Sequence, residues 1–403
     1  MRVMCTTIGS PSHGRAQLPL LRALAARHEV LVLVDPPLRA VFREDDVRVV
    51  PCLGALDPAG WIRRYHDAIP ETPPGDPERF HAALMRAMFR GMALGGAADS
   101  YAAALPLAEE FRPDLILRDG MDFGACLVAE RLGVPHLPTP SGTTNILDPA
   151  EVFEPLNATR ARLGLPAGDD PLSIAPHGRV DYVPGSLSFS RHLGPSLAYR
   201  QTVDVTRAAA LPEWVAELAT DRPLVLAAIG TALPMSHERA DGAPPPAPYP
   251  NAPDTLRAMA EAVALLDDCV VVLATAGVPL DPEVTLGPHV HVAERLPQPL
   301  LLESVDLFLT HGGFNSVRES LRTATPMVVL PQFGDQYPNA RRVEELGLGR
   351  RVTDPRPAAV AALCRDVLAD QAIGAHARRA RLAMLTLPPI ETAVADLVKL
   401  VAG

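Results

Sequence analysis

The stretch THGGFNSVRESL combines a histidine, two glycines and two small polar side chains where a strand-like run meets a helix-like run. The first N–H groups of a helix lack intrahelical partners and lie at its positive dipole end, so they favour an anion. Gly312 and Gly313 let a bulky group approach the backbone. His311, Asn315 and Ser316 can add hydrogen bonds, and a protonated histidine adds charge. The pattern indicates a phosphate or diphosphate site, or else a structural turn with an Asn or Ser helix cap.

A second histidine, His13, follows the first strand-like run in GSPSHGRAQLP. Sites in open α/β sheets lie beyond the carboxyl ends of the strands, where this residue falls. The pKa of histidine lies near neutral pH, which suits proton transfer. A carboxylate that orients the ring would come from Asp119 or Asp122, since both follow the strand-like run LILR. His13 is otherwise an ordinary polar turn residue.

Alternating strand-like and helix-like runs surround these residues. RVMCTTIG, LPLLRALAARH and EVLVLVD read as strand, helix and strand, which begins a parallel sheet with crossover helices. Residues 53–110 and 141–205 are less regular and read as insertions in a first domain. RPLVLAAIG, CVVVLATAG, HVHVAE, LFLT and MVVLP predict strands of a second domain. The Pro-rich run 234–253 predicts a surface loop.

Composition excludes several classes of protein. The chain has 403 residues, 48% hydrophobic and 21% charged, which predicts about two globular domains. The net charge of −10 argues against broad nucleic-acid binding. No apolar run reaches about 18 residues, the N-terminus lacks a signal-peptide pattern, and the five cysteines are scattered, so we expect a cytoplasmic protein without membrane insertion.

Around the first motif, the chain resembles the donor-binding signature of family 1 glycosyltransferases, inverting enzymes with the GT-B fold. The resemblance covers residues ~294–351. RPLVLAAIGT and MRVMCTTIGSPSHG look like the family's first donor-domain strand and its opening strand with the histidine loop. The matching positions are Pro297-Gln298, His311-Gly312-Gly313, Asn315-Ser316, Glu319, Pro331, Asp335-Gln336 and Asn339.

The resemblance implies a role for each of these positions in holding a nucleoside diphosphate sugar. The diphosphate would bind His311 and the backbone from Gly313 to Ser316. Gln298 and Glu319 would bond the ribose diol, and Asp335 and Gln336 would bond the sugar hydroxyls. Arg295 stands where the family usually has a tryptophan stacked on uracil, so the base is uracil or thymine. The implied donor residues are Gly230, Thr231, Arg295, Leu296, Gln298, His311, Gly312, Gly313, Asn315, Ser316, Glu319, Asp335 and Gln336.

The resemblance also makes His13 the general base for the acceptor hydroxyl. Asp119 lies 16 positions before Pro135 of GVP, which matches the family's partner aspartate, and is preferred over Asp122. The acceptor pocket is less defined, because a helically spaced set of Met and aromatic residues fits either plain core or a greasy pocket. The candidates for it are His66, Met85, Met88 and Phe89.

The implied fold is α/β GT-B, with two Rossmann-like domains whose parallel sheets face each other across a cleft. The expected boundaries are an acceptor-binding domain over 1–205, a linker over 206–222, a donor-binding domain over 223–385 and a C-terminal helix over 386–403 that packs back across the domains.

The implied reaction is transfer, with inversion, of a sugar from a UDP- or dTDP-hexose to a hydroxyl of a small, partly apolar acceptor, a bacterial secondary metabolite. Deoxysugar transfer stays open beside hexose transfer. No metal and no cofactor are expected, the nucleotide-sugar being a co-substrate, and the chain would be a monomer or homodimer. The alternatives are a nucleotide-sugar epimerase on the same fold and a non-catalytic accessory protein.

Overall fold

The computed structural model describes residues 1–54, 76–200, 209–233 and 251–403. The chain forms two compact units. The first comprises Met1–Val205 together with Leu387–Gly403, and the second comprises Thr206–Thr386. The residues expected to form a linker are therefore counted with the second unit, and the C-terminal segment belongs to the first. Most of the Pro-rich run 234–253 lies outside the described residues.

The first unit is built on a five-stranded parallel sheet with the order β3-β2-β1-β4-β5. The strand order runs outward from β1 in one direction to β3 and from β4 in the other direction to β5, so the sheet is doubly wound. In such sheets, ligand sites lie beyond the carboxyl ends of the two strands at which the order reverses, here β1 and β4. A separate parallel pair, β6 and β7, lies later in the chain. The strands are β1 (Arg2–Thr7), β2 (Glu29–Val34), β3 (Arg48–Val50), β4 (Leu115–Arg118), β5 (His136–Pro138), β6 (Arg179–Asp181) and β7 (Ser196–Ala198).

The second unit repeats this plan with six parallel strands in the order β10-β9-β8-β11-β12-β13. Its central strands, β8 and β11, pair directly in parallel. The strands are β8 (Leu224–Ala228), β9 (Val270–Ala274), β10 (Val290–Ala293), β11 (Leu307–Thr310), β12 (Met327–Val329) and β13 (Gly349–Arg351).

Both sheets are buried on both faces. In β1, Val3 and Cys5 join the apolar cluster on one face while Met4 joins the cluster on the other. In β8, Val225 and Leu226 divide between two clusters in the same way. This period of two, with apolar residues on both sides, explains why the strands read as continuous apolar runs.

The two segments expected to be irregular contain helices. Residues 77–111 form α2, a single π-helical turn over Met92–Gly96, and α3. Thr159 donates to the carbonyl of Ala93 at 2.7 Å within that turn. The α-helices are α1 (Pro11–Ala25), α2 (Pro77–Gly91), α3 (Ala97–Phe111), α4 (Phe123–Leu132), α5 (Gly142–Ile146), α6 (Pro149–Arg162), α7 (Ala252–Ala264), α8 (Gln298–Leu301), α9 (Phe314–Thr323), α10 (Gln336–Glu345), α11 (Pro357–Ala369), α12 (Gln371–Leu385) and α13 (Thr392–Ala402).

The last helix, α13, completes the first unit. Ala393 and Leu397 are fully buried in the apolar cluster that also covers one face of its sheet. Tyr199 donates to Asp396 at 3.0 Å. Within the described ranges, no helix has the length and apolar character needed to cross a membrane.

Candidate active site

His13 lies in the first turn of α1 rather than in the preceding loop. Pro11 occupies the first turn of the helix, and the side chain of Ser10 accepts from the backbone N–H of Ser12 as its N-cap. These residues start the helix earlier than the sequence suggested. The side chain of His13 is 13% exposed, and its Nδ1 lies 2.8 Å from Oδ2 of Asp119. The pair joins the carboxyl ends of the neighbouring strands β1 and β4.

Asp119 is held in a fixed orientation by backbone groups. It is 1% exposed, and its carboxylate accepts from the N–H of Met121 at 3.1 Å and, at a longer 3.5 Å, from that of Ile8. The buried guanidinium of Arg118 donates to the carbonyls of Asp119 and Gly120 at 3.1 and 3.0 Å. The carboxylate therefore accepts several hydrogen bonds and faces the imidazole in a buried position.

Asp122, the other aspartate after β4, has a different task. Its Oδ1 accepts from the N–H of Ala125 at 3.1 Å and so caps α4. Ser100 donates to the same oxygen at 2.7 Å. Burial raises the pKa of this carboxyl, and the hydrogen bonds from Ser100 and Ala125 oppose the rise. Of the two aspartates, Asp119 is the one that contacts His13.

His311 lies between β11 and α9 and is 8% exposed. Its ring fills the space left by two glycines, since a Cβ added at Gly230 or Gly313 would come within 2.3 or 2.5 Å of the ring. Burial lowers the pKa of His311 to about 4. The ring is therefore neutral at neutral pH and offers a hydrogen bond rather than a charge. Its buried Nδ1 has no hydrogen-bond partner among the described residues.

Helix α9 begins with a glycine at its N-cap position. Its N-cap is Gly313, which makes no side-chain hydrogen bond. Asn315 instead accepts from Arg318 at 2.6 Å, and Ser316 accepts from Gln298 at 3.2 Å. These contacts join the first turn of α9 to Arg318 within the helix and to Gln298 outside it.

Gly312 takes a backbone conformation that favours glycine. Its φ is +85°, and a Cβ there would lie 2.5 Å from Val329. The side chain of Asn339 donates to the carbonyl of Gly312 at 2.9 Å and to Asp335 at 2.8 Å. The buried carboxamide of Asn339 thus connects Gly312 to Asp335, the N-cap residue of α10.

Gln298 and Glu319, predicted to share a ribose diol, are in direct contact. Nε2 of Gln298 donates to Oε2 of Glu319 at 2.6 Å. Both side chains are partly buried. Asp335 and Gln336, the pair predicted to bond sugar hydroxyls, differ in burial, because Asp335 is partly buried whereas Gln336 is 2% exposed. Oε1 of Gln336 accepts from the N–H of Gln332 at 2.8 Å.

The remaining donor candidates lie at the surface of the second unit. The side chain of Arg295 is 74% exposed, and its Nε lies 3.7 Å from Glu294. Leu296 packs against the apolar cluster on one face of the sheet, and its carbonyl accepts from the N–H of Gln298 at 2.8 Å. Thr231 is exposed after β8.

The acceptor candidates differ in burial. Met88 and Phe89 are 6% and 2% exposed and belong to the core of the first unit. Met85 is partly buried at the edge of this cluster. His66 lies outside the described residues. Plain core packing therefore accounts for Met88 and Phe89.

Sequence reasoning overlooked two charged residues near His13. Arg118 ends β4 and Asp35 follows β2, and they are 0% and 4% exposed. The available signal was a charged residue directly after an apolar strand, in LILR and LVLVD. In the described ranges, no group of three or more His, Cys, Asp or Glu side chains is arranged to hold a metal ion.

Comparison with known proteins places the chain among sugar-transferring enzymes. Residues 257–400 match the family described as "Erythromycin biosynthesis protein CIII-like, C-terminal domain". The L-demethylnoviosyl transferase of Streptomyces niveus is 27% identical over 391 residues, covering 94% of this chain and 93% of that one. The oleandomycin glycosyltransferase of Streptomyces antibioticus is 27% identical over 373 residues, covering 86% and 78%.

A solved structure supports the same fold. The crystal structure of the glycosyltransferase VinC in complex with dTDP aligns with a TM-score of 0.72 and 21% identity over 100% of both chains. The GT-B fold expected from the sequence is thereby confirmed. The resemblance to family 1 glycosyltransferases in the donor signature is confirmed by the family match over residues 257–400 and by the relatives.

Proposed function

We propose that this chain, a family 1 glycosyltransferase with the GT-B fold, uses His13 as the base in an inverting transfer from a nucleoside diphosphate sugar to an acceptor hydroxyl. The observation that carries the proposal is the 2.8 Å contact between Nδ1 of His13 and the buried carboxylate of Asp119. A carboxylate in this position keeps one ring nitrogen protonated and leaves the other as a proton acceptor.

Proton transfer follows from this arrangement. Nδ1–H of His13 donates to Asp119, so the lone pair on Nε2 takes the proton of the acceptor hydroxyl. The imidazolium that forms is stabilised by the adjacent carboxylate. The oxygens of Asp119 already accept from the N–H of Met121 and from His13, which fixes the carboxyl group in this orientation.

Bond exchange at the sugar is a single displacement. The acceptor oxygen forms a bond to the anomeric carbon on the face opposite the diphosphate. The bond from that carbon to the diphosphate oxygen breaks, and its electron pair leaves with the diphosphate. Attack opposite the leaving group inverts the anomeric configuration, and the acceptor proton remains on Nε2 of His13.

The leaving diphosphate is stabilised by the second unit. The start of α9 places backbone N–H groups at the positive end of a helix dipole, and His311 adds a neutral imidazole hydrogen bond. These groups perform the charge stabilisation that a cation performs in other transferases, so the mechanism assigns no step to a metal.

The donor sugar nucleotide is assigned from the side chains and the relatives. The contacting pair Gln298 and Glu319 offers an acceptor and donors for a ribose hydroxyl. The dTDP in the VinC complex favours a dTDP-sugar, with UDP as the second candidate. The named relatives act on antibiotic-type natural products, which favours a small, partly apolar secondary metabolite as acceptor, and deoxysugars beside hexoses. They are transferases, which favours transfer over epimerisation or a non-catalytic role.

Transfer is tested with UDP-glucose and dTDP-glucose, each with a panel of hydroxylated aromatic and macrolide acceptors. Mass spectrometry follows the glycoside and the released nucleotide. His13→Ala is expected to lower kcat by ~10²–10⁴. Because His13 lies in the first unit, the affinity for dTDP should not change. His28→Ala, which changes another histidine of the same unit, should keep the parental rate.

Two outcomes would count against the proposal. Near-parental turnover by His13→Ala would remove this residue from the mechanism. A parent protein that binds neither nucleotide and forms no glycoside with any acceptor would count against transfer itself.

A further inference from the structure

Asp35 follows β2 directly and is 4% exposed. It occupies the N-cap position of the 3₁₀ helix Pro36–Phe42, yet its side chain makes no capping hydrogen bond there. Its Oδ2 instead accepts from the backbone N–H of Gly9 at 2.9 Å. Pro36 and Pro37 have no N–H, and the N–H of Leu38 donates to the carbonyl of Asp35 at 2.9 Å. The buried carboxyl bonds a distant backbone donor instead and so joins two segments of the chain.

The hydrogen bond from Gly9 to Asp35 lies in the turn Ile8–Ser10, which precedes the proposed base His13. Gly9 has a φ of +84°, a conformation that is open to glycine and lets the chain turn sharply there. Ile8, the residue before it, donates to Asp119 at 3.5 Å. The backbone N–H of His13 donates to the carbonyl of Ser10 at 2.9 Å. Consecutive N–H groups of this turn therefore face two carboxyl groups, one of which also contacts His13.

We propose that Asp35 is a positioning residue for sugar transfer, holding the turn Ile8–Ser10 through its bond to Gly9 so that His13 stays in contact with Asp119. This inference rests on the proposed role of His13. Asp35 is not among the positions that match the family signature. It follows β2, whereas His13 follows β1 and Asp119 follows β4.

The bond does not require a charged Asp35. Burial raises the pKa of this carboxyl to about 7; the N–H of Gly9 and His13 lower it, while Asp119 and Asp122 raise it further. Its other oxygen, Oδ1, has no hydrogen-bond partner among the described residues. A proton on Oδ1 leaves Oδ2 free to accept from Gly9, so the neutral and ionised forms both keep the turn in place. An asparagine should do the same, since its carboxamide oxygen is an equivalent acceptor.

The test compares Asp35→Asn with Asp35→Ala in the full-length protein. Both variants remove the ionisable group, so the difference between them isolates the hydrogen bond to Gly9. Asp45→Ala is the matched control, because Asp45 is also buried and holds the same helix α1 through Arg22, with Nε–Oδ1 at 2.5 Å. Asp35→Leu serves as a second variant without an acceptor, should Asp35→Ala not fold.

The first readout is the pKa of His13, followed by NMR on ¹³C-labelled histidine, with the signal assigned by His13→Gln. This measurement needs no substrate. In Asp35→Ala the His13–Asp119 contact loosens, so the imidazolium is less stabilised and the pKa of His13 should fall below its value in Asp35→Asn. In Asp45→Ala it should match the parent.

The second readout is kcat with a donor and an acceptor that the parent uses. Asp35→Asn should stay within about threefold of the parent, while Asp35→Ala should lose about tenfold or more in kcat at unchanged dTDP affinity. Equal His13 pKa values and equal rates in Asp35→Ala and Asp35→Asn would overturn the proposal. A loss in Asp35→Asn as large as in Asp35→Ala would show that the ionisable group, not the bond, is needed. If His13→Ala is active, the base assignment fails separately from the role of Asp35.

Discussion

A neutral, buried histidine at an anion site binds its ligand together with a proton. His311 has a pKa of about 4 because burial disfavours its charged form. A diphosphate placed against the ring favours that form and raises the pKa. Between the free and the bound pKa, nucleotide affinity should therefore increase as pH falls.

Calorimetry in buffers of different ionisation enthalpy measures this linkage directly. At pH ~6, dTDP binding to the parent should take up more protons than binding to His311→Gln. The variant subtracts the titration of the phosphate itself, whose last pKa is also near 6. Equal proton uptake by both proteins would mean that His311 stays neutral in the complex.

Arg295 gives a second prediction at the level of one side chain. Its side chain is 74% exposed, and its Nε lies 3.7 Å from the similarly exposed carboxylate of Glu294. Arg295→Trp should tighten dTDP binding by ~0.5–1.5 kcal/mol, the usual gain from an aromatic stack. Isothermal titration of dTDP and UDP against both proteins measures the effect. Unchanged affinities would mean that residue 295 does not face the base.

Single residues could be predicted where a sequence motif identifies them. They could not be predicted where their role depends on burial in the folded chain. His13 and Asp119 are 106 positions apart, and only the parallel pairing of β1 with β4 brings them together. The residues alone left Asp119 and Asp122 as equals, because the helix-capping role of Asp122 depends on where α4 begins. Asp35 was overlooked because an aspartate before two prolines looks like an ordinary start of a loop.

At the scale of one element, the N-terminus of α9 depends on a glycine that leaves room for the ring of His311. A Cβ at Gly313 would lie 2.5 Å from Nε2 of His311, so the ring must move. Gly313→Ala should weaken dTDP binding by about tenfold or more, since a displaced donor no longer meets the phosphate. Titration calorimetry with dTDP tests this.

Gly374→Ala is the matched control, because a Cβ there meets only the end of the Arg378 side chain, at 3.5 Å. It lies inside α12, where alanine is the better helix former. Its dTDP affinity should equal that of the parent. If Gly313→Ala also binds normally, the N-terminus of α9 does not hold the phosphates.

Whole elements were predicted well where apolar runs were continuous. The strands β1, β2, β8 and β9 lie within the predicted runs, because strands buried on both faces carry apolar residues at every position. The three-residue strands β3 and β13 were overlooked, being too short to show a pattern. The helices of residues 77–111 were read as an irregular insertion, although the spacing of Met85, Met88 and Phe89 was recognised as helical.

At the scale of the molecule, the two units should respond separately to a core substitution. Leu397 on α13 is fully buried in the first unit. Leu397→Ala should lower the free energy of unfolding of that unit by ~2–5 kcal/mol. The affinity for dTDP, which we propose binds to the second unit, should stay the same. Thermal melts with and without dTDP, together with calorimetry, separate the two effects.

Val398→Ala is the neighbouring control, because this side chain is 40% exposed. It should melt like the parent. A large loss of dTDP affinity in Leu397→Ala would show instead that the stability of the two units is coupled.

The return of the chain to its first unit has a consequence for its synthesis. A ribosome finishes residues 1–205 and then all of the second unit before it makes residues 387–403, which include the helix that closes one apolar face of the first sheet. Until residues 387–403 leave the ribosome, the apolar cluster that contains Val3, Leu21 and Val32 lacks the members contributed by the last helix. The nascent chain therefore has an exposed apolar surface on its first unit while its second unit can already be folded. A stop codon before residue 387 would leave a first unit with exposed apolar surface joined to a second unit that is complete, and chaperones and proteases recognise such exposed surface.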